Sequence, residues 1–297
     1  MSKPTSLPDG VYAAALTPLH DDLSIDHETL AAHARWLLAN GCDGLVLLGT
    51  TGEANSFSLA ERMALLDNVI EAGLPPGRLL VGTGCCATPD TVMLTQHAVV
   101  HGVGGVLMLP PFYYKNVSDE GLFAAFDQVI QQVGEEALQI YLYHFPKMSG
   151  VSFSPSLIEK LLHRYPDTVV GMKDSSGDFQ HMEHTIASFP GFRVFAGTER
   201  YLLGMLGIGG AGCISATTNV TCRLAGEVFA KRATQEARNL QSQLTAMRAT
   251  LEAFPLAAAL KHLTAVRTGQ ASWRNVRPPL QPLTPDQAAT LEALFLP

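Results

Sequence analysis

The chain is poor in paired cysteines, in basic clusters and in long apolar runs. Its five cysteines, Cys42, Cys85, Cys86, Cys213 and Cys222, form no CxxC pair, and their number is odd. That argues against a disulfide framework and against a cysteine zinc site, and leaves five reduced thiols as the expectation. No stretch approaches the roughly 18 apolar residues of a membrane span. Met1 to Gly10 lack the basic start and apolar run of a signal peptide. A cytoplasmic protein is therefore expected, with no membrane partner. The net charge is −7 and no Lys/Arg cluster forms a stripe, so nucleic acid is not an expected partner. The turn after the first strand-like run carries no GxGxxG fingerprint, which counts against a doubly wound dinucleotide-binding sheet.

What is present is a buried-core composition, 47% hydrophobic and 16% charged over 297 residues. That is about the usual length of one α/β barrel. Eight short apolar runs recur at Val11–Leu19, Gly44–Gly49, Arg78–Thr83, Gly104–Leu109, Gln139–His144, Thr168–Lys173, Arg193–Gly197 and Gly210–Ser215. Each has several apolar residues in succession, as strands covered on both faces require. Helical periodicity fills the gaps at Leu30–Leu38, Ser58–Ile70, Thr91–His101, Gly121–Val133, Ser156–Arg164, Asp178–Ser188 and Glu199–Leu206. Ser58 with Glu61 reads as a capping box, and Pro155 takes a first-turn position. Eight strands alternating with helices mean an α/β fold, either a closed parallel barrel or a doubly wound open sheet. The count of eight and the missing GxGxxG fingerprint favour the barrel, so a (β/α)8 TIM barrel is expected over residues 1–222. Arg223–Arg232, Thr234–Leu251 and Ala257–Arg267 read as further helices. With a loop punctuated by Pro278, Pro279, Pro282 and Pro285 and a last short helix, they make residues 223–297 a C-terminal helical region packed on the barrel.

Barrel chemistry gathers at the C-terminal ends of the strands. Lys173 closes the apolar run Thr168–Lys173. Burial without a carboxylate partner lowers a lysine pKa, and a neutral amine attacks a ketone to form an imine. The other reading pairs Lys173 with Asp174 or lets it reach the rim. Tyr143 ends the preceding strand; if that strand alternates, Tyr141 and Tyr143 face inward and Leu142 outward. A phenol beside an imine can move protons; a structural tyrosine is the alternative. Gly49-Thr50-Thr51-Gly52-Glu53 follows the second strand. Its hydroxyls and backbone N–H groups make a small anion pocket suited to one carboxylate. It lacks the Walker lysine, so triphosphate is not expected.

Together these motifs, with Pro110–Tyr114, Tyr143–Pro146 followed by Ser149-Gly150, and Gly171–Asp178, resemble the dihydrodipicolinate synthase / N-acetylneuraminate lyase family. The resemblance runs from Tyr12 into the C-terminal helices. It implies a class I, lysine-imine mechanism without metal or organic cofactor. Lys173 would be the Schiff-base lysine and Tyr143 the proton relay. Thr50 and Thr51 would hold the carboxylate of a 2-oxo acid, with Thr50 also bonded to Tyr143. Tyr114 matches the tyrosine lent to a neighbouring subunit's site, and Gly197 and the Ile214 carbonyl match the far wall. The resemblance further implies a homotetramer, a dimer of dimers, acting on pyruvate and an aldehyde.

Three departures from the family pattern bear on the substrate. The synthases carry an arginine two residues past the proline; here Met148 stands there, and neighbouring Lys147 is expected to point elsewhere. Met148 suits the aliphatic residue of the sialic acid lyases, and Ser176-Gly177-Asp178 also matches that branch. Their acidic pair after the seventh strand, however, becomes Glu199-Arg200. Two roles are open to Arg200: a salt bridge to Glu199, or contact with a distal carboxylate or hydroxyl of the substrate. His144, in place of the usual asparagine, is either a satisfied structural histidine or a group tuning Tyr143. Met148, Phe145 and Tyr113 suggest a moderately apolar mouth. The expectation is a lyase or aldolase releasing pyruvate from a 2-oxo-3-deoxy sugar acid or a 4-hydroxy-2-oxo acid. The alternatives are the synthase, a dehydratase of a related acid, and a non-catalytic 2-oxo acid sensor.

Overall fold

All eight apolar runs form strands, and the strands close on one another. The computed structural model describes residues 7–295. Its first half orders β1 (Gly10–Ala14), α1 (His27–Ala39), β2 (Gly44–Leu47), α2 (Leu59–Glu71), β3 (Leu79–Gly82), α3 (Thr88–Val100), β4 (Gly105–Met108) and α4 (Asp119–Val133). There follow β5 (Ile140–His144), α5 (Pro146–Ser149), α6 (Pro155–Arg164), β6 (Val169–Asp174), α7 (Phe179–Ser188), β7 (Arg193–Ala196), α8 (Leu202–Gly207) and β8 (Gly212–Ser215). Every neighbouring pair is parallel, and β8 returns to β1 through Tyr12 opposite Ile214. This is the expected TIM barrel. The helices α9 (Thr218–Ala230), α10 (Glu236–Glu252), α11 (Leu256–Thr268) and α12 (Pro285–Phe295) complete the described chain.

Local chemistry starts the helices where the periodicity placed them. Ser58 Oγ accepts from Glu61 N, and the Glu61 carboxylate accepts from Ser58 N, so the capping box is closed. Asp26, Ser118, Ser154 and Asp178 each accept from first-turn N–H groups of α1, α4, α6 and α7.

The inward side chains form a separate core. Tyr12, Val46, Leu80, Leu107, Tyr141, Phe195 and Ile214 pack together inside the barrel, while Ile140, Leu142 and Met172 pack under the helices. Tyr12 and Tyr141 both meet Phe195 edge-on, with centroids 5.4 and 6.0 Å apart. Burying each such ring contributes about 1.5–3 kcal/mol. Space for them comes from two glycines. A Cβ at Gly44 would lie 2.3 Å from Tyr12 Cε1, and one at Gly171 2.7 Å from Tyr141 Cδ1.

Several boundaries differ from expectation. The first strand ends at Ala14, not Leu19, because β2 stops at Leu47 and Leu48 turns into positive φ (55°), which ends the ladder. Leu16 N instead donates to Asn219 Oδ1 (3.1 Å). α5 was not expected, since four residues carry no period. α9 begins at Thr218 rather than Arg223. Its first turn is rich in β-branched residues of weak helix propensity, but Asn219 Nδ2 binds the carbonyl of Ala14 and anchors that turn to β1. The expected division between residues 222 and 223 thus falls inside α9. The segment expected as one helix over Glu199–Leu206 is a 3-10 turn, Glu199–Tyr201, followed by α8. Pro285 opens α12 rather than punctuating a loop. Leu16 at the barrel rim packs with Leu251, Ala259, Leu260, Leu263, Trp273 and Leu291, so a further core seats α10, α11 and α12 against the barrel.

Candidate active site

The neighbouring ends of β5 and β6, with the turn after β2 reaching in from across the barrel mouth, bring an amine, a phenol and a hydroxyl together. Tyr143 and Lys173 are register partners on β5 and β6. With the pleat alternating, both side chains point inward at the C-terminal mouth. Lys173 Nζ donates to Tyr143 Oη at 3.3 Å and lies 4.5 Å from the centroid of its ring. Tyr143 Oη in turn lies 3.2 Å from Thr50 Oγ1. Lys173 is 4% exposed and Tyr143 3%. The phenyl of Phe145 stacks on Tyr143 with centroids 5.7 Å apart and keeps water from one face.

Asp174 does not pair with Lys173. It follows in the strand, so it faces the helices. There its Oδ2 accepts from His181 Nδ1 (2.6 Å) and its Oδ1 from Ser176 N (2.8 Å). Burial works against the Asp174 charge, yet the bonds from His181 and Ser176 hold its carboxyl below the usual range. The hydrogen bond to Asp174 raises His181 in return. Among the described residues no carboxylate forms an ion pair with Lys173. His144 takes its structural role. Its Nδ1 accepts from Phe153 N (3.2 Å), its ring stacks on His181 with centroids 4.6 Å apart, and burial pushes its pKa down. It faces away from Tyr143.

The Gly49–Glu53 loop is anchored at its C-terminal end. Thr17 Oγ1 donates to the Gly52 carbonyl (2.8 Å). Glu53, in the left-handed region at φ 58°, forms a fully buried ion pair with Lys261 of α11 and accepts from Arg277 N (2.8 Å). Burial pushes Lys261 down while Glu53 opposes that shift. Sequence reasoning missed this pair, because 208 residues separate its members.

A cavity of about 570 Å³ opens above Lys173. Thr50, Thr51, Tyr143, Met148, Lys173, Gly197 and Arg200 all border it, so seven of the expected residues meet there. Two do not. Tyr114 is 74% exposed, packed edge-on against Tyr113, and lies outside the cavity of its own chain. Ile214 lies within the barrel core, and Ala216 borders the cavity in its stead. Lys147, expected to point elsewhere, is on the wall beside Met148; both lie on α5, whose tight turn swings them over the mouth. Tyr113 is likewise outside, so the apolar mouth is made by Phe145 and Met148.

The Arg200–Glu199 salt bridge is absent. Arg200 Nη2 donates to Glu252 Oε2 (2.5 Å), while Glu199 is buried among Ser215, Thr217, Thr221 and Arg248. Arg248 Nε also donates to Glu252 Oε1 (2.8 Å). The charges therefore alternate from buried Glu199 through Arg248 and Glu252 to Arg200 at the wall. Arg248 and Glu252 were missed. Their spacing of four on α10 is a visible helix pair, but nothing local says which surface α10 covers.

The sequence model of the Dihydrodipicolinate synthetase family matches residues 7–295. An uncharacterized DapA-like lyase of Chloroflexus aurantiacus is 34% identical over 290 residues, 97% of this chain and 96% of that protein. A probable 2-dehydro-3-deoxy-D-pentonate aldolase, YjhH of Escherichia coli K12, is 31% identical over 226 residues, 74% of this chain and 73% of its own. Among solved structures, a dihydrodipicolinate synthase from Agrobacterium tumefaciens C58 superposes with a TM-score of 0.89 at 34% identity, covering 97% of this chain and 98% of that one. YagE of E. coli K12, solved in complex with pyruvate, superposes with a TM-score of 0.89 at 27% identity, covering 98% of each chain.

Proposed function

The chain belongs to the dihydrodipicolinate synthetase family, and from that premise we propose that it is a class I lyase that holds pyruvate as an imine on Lys173. One observation carries the reading: the Lys173 amine is buried, has no carboxylate partner among the described residues, and touches a phenol at the floor of an open cavity. The amine adds to the C2 carbonyl of a 2-oxo acid and water leaves, giving an iminium. Tyr143 Oη, bonded to both Nζ and Thr50 Oγ1, passes protons to and from the departing oxygen. Thr50 and Thr51 seat the carboxylate and orient the imine; such positioning contributes several kcal/mol to the rate. Loss of the C4 hydroxyl proton then breaks the C3–C4 bond. Its electron pair passes into the iminium as an enamine, and an aldehyde departs. Protonation at C3 and hydrolysis release pyruvate and restore the amine. No metal or organic cofactor enters these steps.

The substrate class follows from the far wall. Met148 offers no guanidinium for a semialdehyde carboxylate, whereas the Arg200–Glu252 pair offers donors and acceptors to a hydroxylated tail. A 2-oxo-3-deoxy sugar acid or a 4-hydroxy-2-oxo acid fits this wall. The aldolase identified by similarity supports the same reading. A synthase condensing pyruvate with aspartate semialdehyde is the second reading, supported by the 34% identity to a solved synthase. The exposed Tyr113–Tyr114 pair supports an interface between copies of the chain; on the family resemblance that assembly is a cytoplasmic homotetramer, a dimer of dimers, in which Tyr114 completes the relay of a neighbouring subunit.

Reduction with borohydride in the presence of pyruvate tests the mechanism. One reduced pyruvyl adduct per chain is expected, mapped to Lys173 by peptide mass spectrometry and absent from a folded Lys173→Ala variant. No adduct at saturating pyruvate would remove the mechanism. Parallel assays with aspartate semialdehyde and with hydroxylated aldehydes separate synthase from aldolase.

A further inference from the structure

On the outside of the barrel, α2 and α3 bring together three side chains that the lyase chemistry does not use. His97 and His101 stand four residues apart at the end of α3, so one face of the helix carries both rings. Their Nε2 atoms lie 2.8 and 2.7 Å from a single oxygen, Oδ1 of Asp67 on α2. All three potential donor atoms fall within 4.8 Å of one another. The rings meet edge to face, with centroids 4.7 Å apart, so each keeps its Nε2 directed at the shared carboxylate.

We propose that Asp67, His97 and His101 form a binding site for a divalent cation of the zinc class. Two imidazoles and one carboxylate are the borderline nitrogen and oxygen set that Zn2+ favours. Tetrahedral bonds of about 2.0–2.1 Å would hold the donors about 3.3 Å apart. Each N···O separation then has to open by roughly half an ångström, within reach of a small side-chain rotation. The negative end of the α3 dipole adds to the attraction, because both histidines stand at its C-terminal turn. The three side chains are partly exposed, which leaves the fourth position to water. Zinc competes with protons for the imidazole nitrogens, so affinity falls as pH falls. α3 leads into the start of β4, so the site lies at the opposite end of the barrel from Lys173. It would tie α2 to α3 without touching catalysis.

Calorimetric titration of the full, tag-free protein with zinc chloride at neutral pH is the test. One saturable equivalent per chain is expected, together with a zinc-dependent rise in Tm. Asp67→Asn and the double variant His97→Ala/His101→Ala should weaken binding by at least about tenfold and lose that rise. Their pyruvate trapping on Lys173 should match the wild type. Absence of saturable binding, or undiminished affinity in the double variant, would overturn the proposal; the second result would assign the zinc to other ligands such as the exposed Cys86.

Discussion

Lys261 is the second lysine that this fold buries, and replacing it with methionine measures how firmly the Gly49–Glu53 loop is anchored. Lys261 and Glu53 side chains are both 0% exposed and ion-paired. Lys261 Nζ also donates to the Asn275 carbonyl (2.7 Å). Methionine keeps the stem but leaves the Glu53 carboxylate with the Arg277 N–H. Removing one member of a buried pair costs about 3–5 kcal/mol, because the other charge is stranded. For a protein of this size each kcal/mol moves Tm by about 2–4 °C, so the midpoint should fall by roughly 6–20 °C. Adding Glu53→Gln removes the stranded charge, and most of the loss should return. Thermal and urea denaturation read the stability of wild type, both single variants and the double variant. Pyruvate trapping below all the midpoints reads the loop. Thr50 and Thr51 lie just before Glu53, so the half-saturating pyruvate concentration should rise more than the limiting trapping rate falls. A single-variant loss below about 1 kcal/mol, or no recovery in the double variant, would refute the reasoning.

Two further outcomes can be checked in the same protein. Tyr143→Phe keeps the stack on Phe145 but removes the Oη that links Nζ to Thr50. Deuterium exchange at the pyruvate methyl group, followed by NMR, should slow by about 10²–10⁴; a change within threefold would acquit the phenol. His33 is buried, donating from Nε2 to Asn219 Oδ1 (3.0 Å) and accepting at Nδ1 from Arg267 Nη2 (3.2 Å). Burial lowers its pKa from 6.5 to about 4. The unfolded chain therefore binds the extra proton between those values, so stability should decline as pH falls from 6.5 toward 4, by about 3 kcal/mol in all. His33→Gln should flatten that slope in pH-dependent urea melts, and an unchanged slope would exclude His33 as its source.

Much of the site was legible because its chemistry sits on strand ends. Lys173 and Tyr143 each close an apolar run, and alternation alone turns Tyr141 and Tyr143 inward. The Gly49–Glu53 loop was legible as a polar edge of the cavity from its hydroxyls and glycines, and Thr50 and Thr51 do border it. The choice among roles was not. Whether Lys173 met a carboxylate depended on His181 taking Asp174 from the far side of the sheet. Arg200 faced the same ambiguity, and Glu252, more than 50 positions away in α10, resolved it.

Strand number, strand polarity and most helix starts follow from hydrophobic period and capping, which act over a few residues, so the amino-acid order was enough to determine the barrel. What lines the far wall was decided only when α10 and α11 folded back over β7, β8 and the β2 loop. Burial there let Arg248, Glu252 and Lys261 find partners more than 40 residues away. Charges removed from water must be paired, and which pairs form is set by the packing of whole helices rather than by any local pattern.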